Sequence, residues 1–269
     1  MVVFEKVSRQ DLQKMKGFSE EPIKTVYEEL RLKKGEVTLV LYSSGKLLLQ
    51  GKKEAIEVVA KELEKKGIGI QVKPEAFRKE SGWIIGTDES LKGDTFGGLV
   101  VAGVKANGEL RQQLTELGVA DSKTLDDREV LAIAEKIKKI VPCEIQSVLP
   151  EVYNRVKDVT KLLNTLHQEC AQFLFPGKHV VDKFPGCMVG EVQLEKAESK
   201  YVEVAAASIL ARAAALQQLD YLSAQAGFRL PKGSTHVKLA LFELKERGLD
   251  FRKFTKVDFA NVKSFLQEN

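Results

Sequence analysis

Gly82-Trp83-Ile84-Ile85-Gly86-Thr87-Asp88-Glu89-Ser90-Leu91-Lys92-Gly93-Asp94-Thr95-Phe96-Gly97-Gly98-Leu99-Val100-Val101-Ala102 is the stretch from which the rest of the chain can be read. An apolar run ends in two adjacent carboxylates, a glycine-rich turn carrying one lysine follows, and a second apolar run leads away. This is the pattern of strand, loop, strand. Charged side chains are rarely buried unless paired or bound to metal, so Asp88 and Glu89 at the end of a buried strand need a partner. A hard cation such as Mg²⁺ meets that need, since it prefers carboxylate oxygen and keeps waters to offer to a phosphate. The alternative is an acidic loop in water. Adjacent residues of an ideal strand point to opposite faces, so both acids can serve one site only where the strand bends or ends.

Upstream of this hairpin, Ser19 to Lys33 is expected to form an amphipathic helix, with Ile23, Val26, Tyr27 and Leu30 at helical spacing. Val37 to Tyr42 and Lys46 to Gln50 read as two strands joined by the turn Ser43-Ser44-Gly45. A helix from about Lys53 to Lys66 follows, capped by Gly67. These elements make a small α+β module over residues 1–72, with Thr38, Tyr42, Ser44 and Lys46 able to meet a backbone of phosphates and sugars. Residues 73–81 are polar, contain Pro74 and break periodicity, so they are read as a linker to a second domain over 82–269.

Downstream, Asp126 and Glu129 form a capping box for a helix from Asp127 to Ile140, which leaves Asp121 outside it. Glu144 to Leu149 is expected as a third strand and Val159 to Phe175 as another helix. His179-Val180-Val181-Asp182 repeats the pattern of an apolar strand ending in an acid, and two such strands in one sheet would set their carboxylates side by side. Glu198 stands near the start of an alanine-rich helix over about 204–222, whose small residues allow it to lie close to the sheet. His167, His179 and His236 are dispersed and are assigned packing or surface roles. A helix from about Thr235 to Arg247 and the segment 251–265 read as outer packing.

The charge is unevenly spread. Up to Glu80 there are 17 Lys+Arg against 13 Asp+Glu, while the remainder balances, so the net +4 lies in the N-terminal part. A basic module beside a neutral body with clustered acids suits a polyanion held by one part and worked on by the other. Cys143, Cys170 and Cys187 are odd in number and lack CxxC spacing, which argues against a disulfide framework or a thiolate zinc site and for a reducing cytoplasm. No apolar run approaches the length of a membrane span, so no membrane partner is expected.

Four elements occur in one order: Gly-Thr-Asp88-Glu89-Ser-Leu-Lys-Gly-Asp, then Asp121-Ser122-Lys123, then Val-Val-Asp182-Lys-Phe, then Lys196-Ala-Glu198-Ser-Lys followed by Ala-Ala-Ala-Ser-Ile-Leu-Ala-Arg. Together they resemble the type 2 ribonuclease H family, and the N-terminal module makes the chain similar to the ribonuclease HIII branch. The resemblance implies an α/β ribonuclease H-like fold, with a mixed five-stranded sheet flanked by helices, behind a small TATA-box-binding-protein-like domain that binds substrate. It implies a monomeric endoribonuclease that hydrolyses the RNA strand of RNA/DNA hybrids with Mg²⁺ or Mn²⁺. Asp88, Glu89, Asp182 and Glu198 would be the catalytic, metal-binding quartet, and glutamate at the fourth place resembles ribonuclease HIII.

Substrate contact is implied for the loop after the acids, its amides around Lys92-Gly93 meeting the 2′-OH that marks RNA. The family reads Gly-Lys-Gly or Gly-Arg-Gly there, and this chain reads Leu91-Lys92-Gly93. Leucine disfavours the positive φ and close backbone approach that glycine permits. Lys123 and Lys232 are further candidates for phosphate contact. In chemical terms, two cations about 4 Å apart on four carboxylates would activate a water and neutralise the leaving 3′ oxygen, giving 5′-phosphate and 3′-hydroxyl ends. Two rival readings stand beside this one. A phosphate-binding kinase or nucleotidase lacks support, because the loop does not follow the GxxxxGK[ST] order and joins two strands. A non-catalytic nucleic-acid-binding protein would leave the acids without a chemical task.

Overall fold

The computed structural model describes residues 2–71, 77–78, 80–119 and 125–268. The chain divides into two compact units, 1–74 and 75–269, with the division inside the stretch read as a linker. Among the described residues no helix is long and apolar enough to cross a membrane.

The first unit is a six-stranded sheet with helices on one face. Its elements are β1 (Val2–Glu5), a single turn α1 (Arg9–Leu12), β2 (Ser19–Glu21), β3 (Glu28–Lys34), β4 (Val37–Tyr42), β5 (Leu47–Gln50), α2 (Lys53–Lys65) and β6 (Ile70–Gln71). The order across the sheet is β2-β3-β4-β5-β1-β6. Val37, Leu39 and Leu41 alternate into a core with Phe4, Leu47 and Leu49, which Ile56, Val59, Ala60 and Leu63 of α2 close. The hairpin and α2 match the sequence reading, but the helix expected over Ser19 to Lys33 does not form. Pro22 interrupts any helix there. Leu30 and Leu32 alternate with Arg31 and Lys33 at the period of a strand, and β3 pairs antiparallel with β4 from Leu30↔Leu41 to Lys34↔Val37. Ile23, Val26 and Tyr27, assigned to an apolar helix face, are 55%, 89% and 70% exposed.

The second unit carries the acidic hairpin as β7 (Ile84–Ser90) and β8 (Leu99–Ala106), then α3 (Gly108–Glu116), α4 (Asp127–Ile140), β9 (Cys143–Val148), a turn α5 (Pro150–Tyr153), α6 (Val159–Leu174), β10 (Lys178–Asp182), β11 (Val192–Leu194), α7 (Val202–Ala226), α8 (Lys238–Glu246) and α9 (Ala260–Glu268). The five-stranded sheet has the order β11-β10-β7-β8-β9. β7, β8 and β9 pair antiparallel, whereas β10 runs parallel to both β7 and β11, so the sheet is mixed. Its two faces bury different residues. Val100, Ala102 and Val104 pack with α4 and α7, and Leu99 and Val101 pack with Leu163, Leu166 and Cys170 of α6. α4 begins at the expected capping box, with the Glu129 amide donating to Asp126 at 2.9 Å and the Asp126 amide to Glu129 at 2.8 Å.

The N-terminal half of α7, from Val202 to Ala211, is almost wholly buried, whereas its C-terminal half exposes Gln217, Asp220, Tyr221 and Gln225 on one side. α7 crosses β7 so closely that a Cβ at Gly86 would stand 2.4 Å from backbone atoms of Glu203 and Val204. Alanines in α7 and glycine in β7 make that approach possible, and it brings the start of α7 to the ends of β7 and β10.

Candidate active site

β7 stays regular through Ser90, still paired with β8, so its two acids do point to opposite faces. Asp88 lies on the face of Gly86, toward α7, where the Ser208 side chain hydrogen-bonds it. Glu89 lies on the face of Thr87, toward α6, where its Oε2 stands 3.5 Å from His167 Nε2. The site is at the strand's end, since Leu91 immediately turns the chain with a φ of +67°. Both carboxylates therefore border the same rim while resting on different sides of the sheet.

β10 adds the third acid. Val181 is level with Thr87, so the next residue, Asp182, comes level with Asp88 and shares its face. The fourth, Glu198, sits in a 3-10 turn over Ala197–Ser199 that leads into α7. That turn is fixed to the third acid, because the Ala197 amide donates to Asp182 Oδ1 at 2.8 Å. Lys196 enters the turn with a φ of +57°.

The two acids of β7 are compensated unequally. Burial, then the charge of Glu89 and that of Asp182, push the Asp88 pKa from 3.8 up to about 8, against the help of Ser208. For Glu89 burial acts in the same direction, but the His167 imidazole and the Lys92 ammonium outweigh it and hold its pKa below the usual glutamate value. Lys92 Nζ donates to Glu89 Oε1 at 3.0 Å and lies 5.1 Å from the centre of the Phe184 ring. Oε2 of Glu89 is buried and accepts no hydrogen bond from the described residues.

The donor set is of the kind a hard divalent cation takes. Oxygen donors, one of them orphaned, and a carboxylate that burial and its neighbours drive toward protonation are what such an ion would relieve. Among the described residues no three His, Cys, Asp or Glu side chains are grouped closely enough to hold a metal ion by themselves. A cage is not required of Mg²⁺, which is held by one or two carboxylates, waters and substrate phosphates. The residues fit the ion.

Residues that the sequence reading gave packing roles or no role in the site complete the surroundings. His167 Nδ1 and His179 Nε2 flank the Thr87 hydroxyl at 2.8 and 2.9 Å, all three groups buried. One hydroxyl carries one proton, so Thr87 donates to one ring and accepts from the other. Burial and the neighbouring His167 push the His179 pKa down to about 4. Dispersal in sequence hid this chain of contacts, which ends at Glu89, and its only local trace was a threonine two residues before a glutamate on one strand face. Ser208 was hidden in the alanine-rich run.

The remaining expected contacts are spread. Leu91 is 5% exposed, so it can offer substrate only backbone, while Lys92 and Gly93 line the turn beside Glu89. Lys232 donates to Asp127 at the start of α4 and is exposed. Lys123, with Asp121 and Ser122, lies outside the described residues. In the first unit Ser44 and Lys46 are exposed, Thr38 and Tyr42 are half-buried, and Lys46 Nζ stands 3.6 Å from Glu5. His236 borders a shallow surface cavity with Phe228, Arg229 and Pro231. A larger cavity of about 560 Å³ opens between Gln168, Phe175, His179 and Glu191, and none of the four carboxylates lines it.

Known proteins resemble this chain in sequence and fold. The sequence profile of the ribonuclease HII family matches residues 85–262. Ribonuclease HIII of Streptococcus agalactiae is 34% identical over 256 residues, which cover 84% of each chain. Among solved structures, that of Bst-RNase HIII in complex with Mn²⁺ aligns over 99% of this chain and 98% of its own, with a TM-score of 0.64 and 28% identity. Aquifex aeolicus RNase H3 aligns over 95% of this chain and 99% of its own, with a TM-score of 0.56 and 28% identity. The sheet order, the placement of the acids and these similarities together mean that the chain belongs to the type 2 ribonuclease H family, in its ribonuclease HIII branch.

Proposed function

We propose that this chain hydrolyses the RNA strand of RNA/DNA hybrids internally, with Asp88, Glu89, Asp182 and Glu198 as the catalytic residues that hold two divalent cations. Membership of the family makes the chain a metal-dependent endoribonuclease. The observation that carries the finer reading is Asp88. It is 8% exposed, its pKa is driven up to about 8, and its neighbours are two more carboxylates, Glu89 next to it on β7 and Asp182 at the end of the adjacent strand β10.

Bound there, Mg²⁺ or Mn²⁺ would activate water and neutralise charge at the leaving 3′ oxygen, which gives 5′-phosphate and 3′-hydroxyl ends. The chain's own residues set the geometry. Asp88 and Asp182 offer oxygens from one face of the sheet, Glu89 offers Oε2 from the other side of the rim, and the 197–199 turn brings Glu198 to Asp182. Lys92 occupies the opposite oxygen of Glu89 and stands ready to exchange that partner for a phosphate. The peptide edges at Lys92 and Gly93 are the assigned contacts to the 2′-OH. Lys232 and Lys123 are assigned to phosphates, and Thr38, Tyr42, Ser44 and Lys46 to the hybrid backbone.

Cleavage of an end-labelled RNA/DNA hybrid is the direct test, with Mg²⁺, Mn²⁺ or EDTA and with single-stranded RNA and duplex DNA as controls. Internal cuts in the RNA strand that need metal are expected. Asp182→Asn and Glu198→Gln should each lower the rate by about a thousandfold or more while hybrid binding persists. Binding without cleavage in the unaltered chain under both metals would instead favour a non-catalytic binding protein.

A further inference from the structure

Lys256 is 0% exposed, and neither the proposed chemistry nor any acid at the rim uses it. Among the described residues no carboxylate stands within ion-pair distance of it, and burial lowers its pKa to about 8. A buried ammonium needs compensation, and this one takes it from two main-chain carbonyls. Nζ donates to Leu91 O at 2.7 Å and to Asp94 O at 2.5 Å, and lies over the rings of Tyr153 and Phe259 at 5.4 and 5.1 Å.

Those two carbonyls bracket one turn, which the Asp94 amide closes by donating to Leu91 O at 3.1 Å. The turn needs holding. It contains Leu91 with a φ of +67°, a conformation that glycine adopts freely and leucine resists. The Leu91 side chain is buried where a Cβ on Gly97 would meet its Cδ1 at 2.8 Å, so Gly97 is small to admit it. Further bonds fasten the same turn to distant chain. The Gly233 amide donates to Asp94 Oδ2 at 2.9 Å, the Lys256 amide donates to Thr95 O at 3.0 Å, and Asn261 donates to Thr95 Oγ1 at 2.7 Å.

We propose that Lys256 is a positioning residue for hybrid recognition: by bonding the carbonyls of Leu91 and Asp94 it holds the turn in the shape that presents Lys92 and the peptide edges around Gly93 to the RNA strand. The proposal rests on the ribonuclease reading above. Lys256 touches neither substrate nor metal, and acts through the turn alone.

The test uses the full chain with Lys256→Met, Leu91→Gly and the double variant. Three quantities are read: hybrid affinity in EDTA, kcat and KM with Mn²⁺, and hydrogen exchange of the 91–95 amides. Lys256→Met is expected to weaken affinity and raise KM about tenfold, to change kcat less than about threefold, and to speed exchange at 91–95. The penalty should shrink to about threefold in the Leu91→Gly background, since glycine keeps the positive φ without a clamp. A merely structural lysine would lower the melting temperature and leave exchange at 91–95, KM and the coupling to Leu91 unmoved, which overturns the proposal. If Lys256→Met does not fold, Lys256→Gln is read in the same way, and its failure to fold would assign Lys256 to the core and also overturn the proposal. An unaltered chain that neither binds nor cuts hybrid would sink the ribonuclease reading, while the exchange measurement still decides the clamp.

Discussion

Asp88 makes the site sensitive to pH in a direction that can be worked out. Its pKa rises from 3.8 to about 8 on folding, because of burial first and the charge of Glu89 second. Between those values the folded protein keeps a proton that the unfolded chain has released, so metal-free stability falls as pH rises through that window. A cation bound at the rim, as proposed, would remove the penalty, and its own binding would improve as the proton leaves. Mn²⁺ should therefore raise the melting temperature more at pH 8.5 than at pH 5.5, by about 4–8 °C if the difference is about 2 kcal/mol in a domain of this size. Asp88→Asn should flatten both the pH dependence of the metal-free protein and the gain from Mn²⁺. An equal gain at the two pH values would show that Asp88 is not the group in play. Leu91 belongs at the same scale. Leucine disfavours the positive φ of a glycine loop, yet the backbone adopts it all the same.

At the scale of elements, the contact between β7 and α7 decides where the acids stand. Gly86 is one strand pleat before Asp88, and the main chain of Glu203 and Val204 passes over it. Gly86→Ala would drive a methyl group into backbone atoms that have no rotamer to change, at a cost of roughly 3 kcal/mol or more. Denaturant unfolding should register that loss, with a fall in catalytic rate from displacement of the 197–199 turn relative to Asp88. Gly108→Ala is the control, because a Cβ there meets nothing within 4 Å, and its effect should stay within about 0.5 kcal/mol. α3, which the sequence reading did not anticipate, secures the same contact from the other side. Arg111 pairs with Glu203 in the first turn of α7 and donates to the carbonyls of Glu80 and Gly82, the latter at 2.9 Å. A buried ion pair of this kind is costly to break by removing one partner, so it fixes the end of α7 that faces the rim.

On the scale of the whole molecule, the chain comprises two units of different character. The basic excess, 17 against 13 up to Glu80, falls in or next to the first unit, and the acids fall in the second. Counterion release makes phosphate binding by a basic module dependent on salt. Lys46 is exposed and its contact with Glu5 is a surface pair of little energetic weight. Lys46→Glu should then weaken hybrid affinity several-fold at low salt and reduce the steepness of the salt dependence by about one contact, with little change in stability or in the turnover of bound hybrid. Affinity and salt slope that match the unaltered chain would remove Lys46 from the interface.

The sequence by itself determined what short-range physics can specify. The acid-ended strand Ile84–Ser90, the hairpin it forms with β8, the capping box at Asp126 and the alternation of Val37 to Tyr42 each depend on neighbours within a few residues, and each was legible. The order of the four acidic motifs was legible as well, since it is a property of the chain. Tertiary structure decided the rest. Ser19–Glu21 and Glu28–Lys34 became strands because β3 pairs with both β2 and β4, which supply hydrogen bonds that a helix with Pro22 in it could not. Thr87, His167 and His179 became neighbours only when β7, α6 and β10 packed together. Leu91 holds a conformation its side chain opposes because Lys256, far along the chain, bonds its carbonyl. A window of sequence encodes local preference, whereas a left-handed leucine or a buried histidine pair is stable only through partners that no window contains.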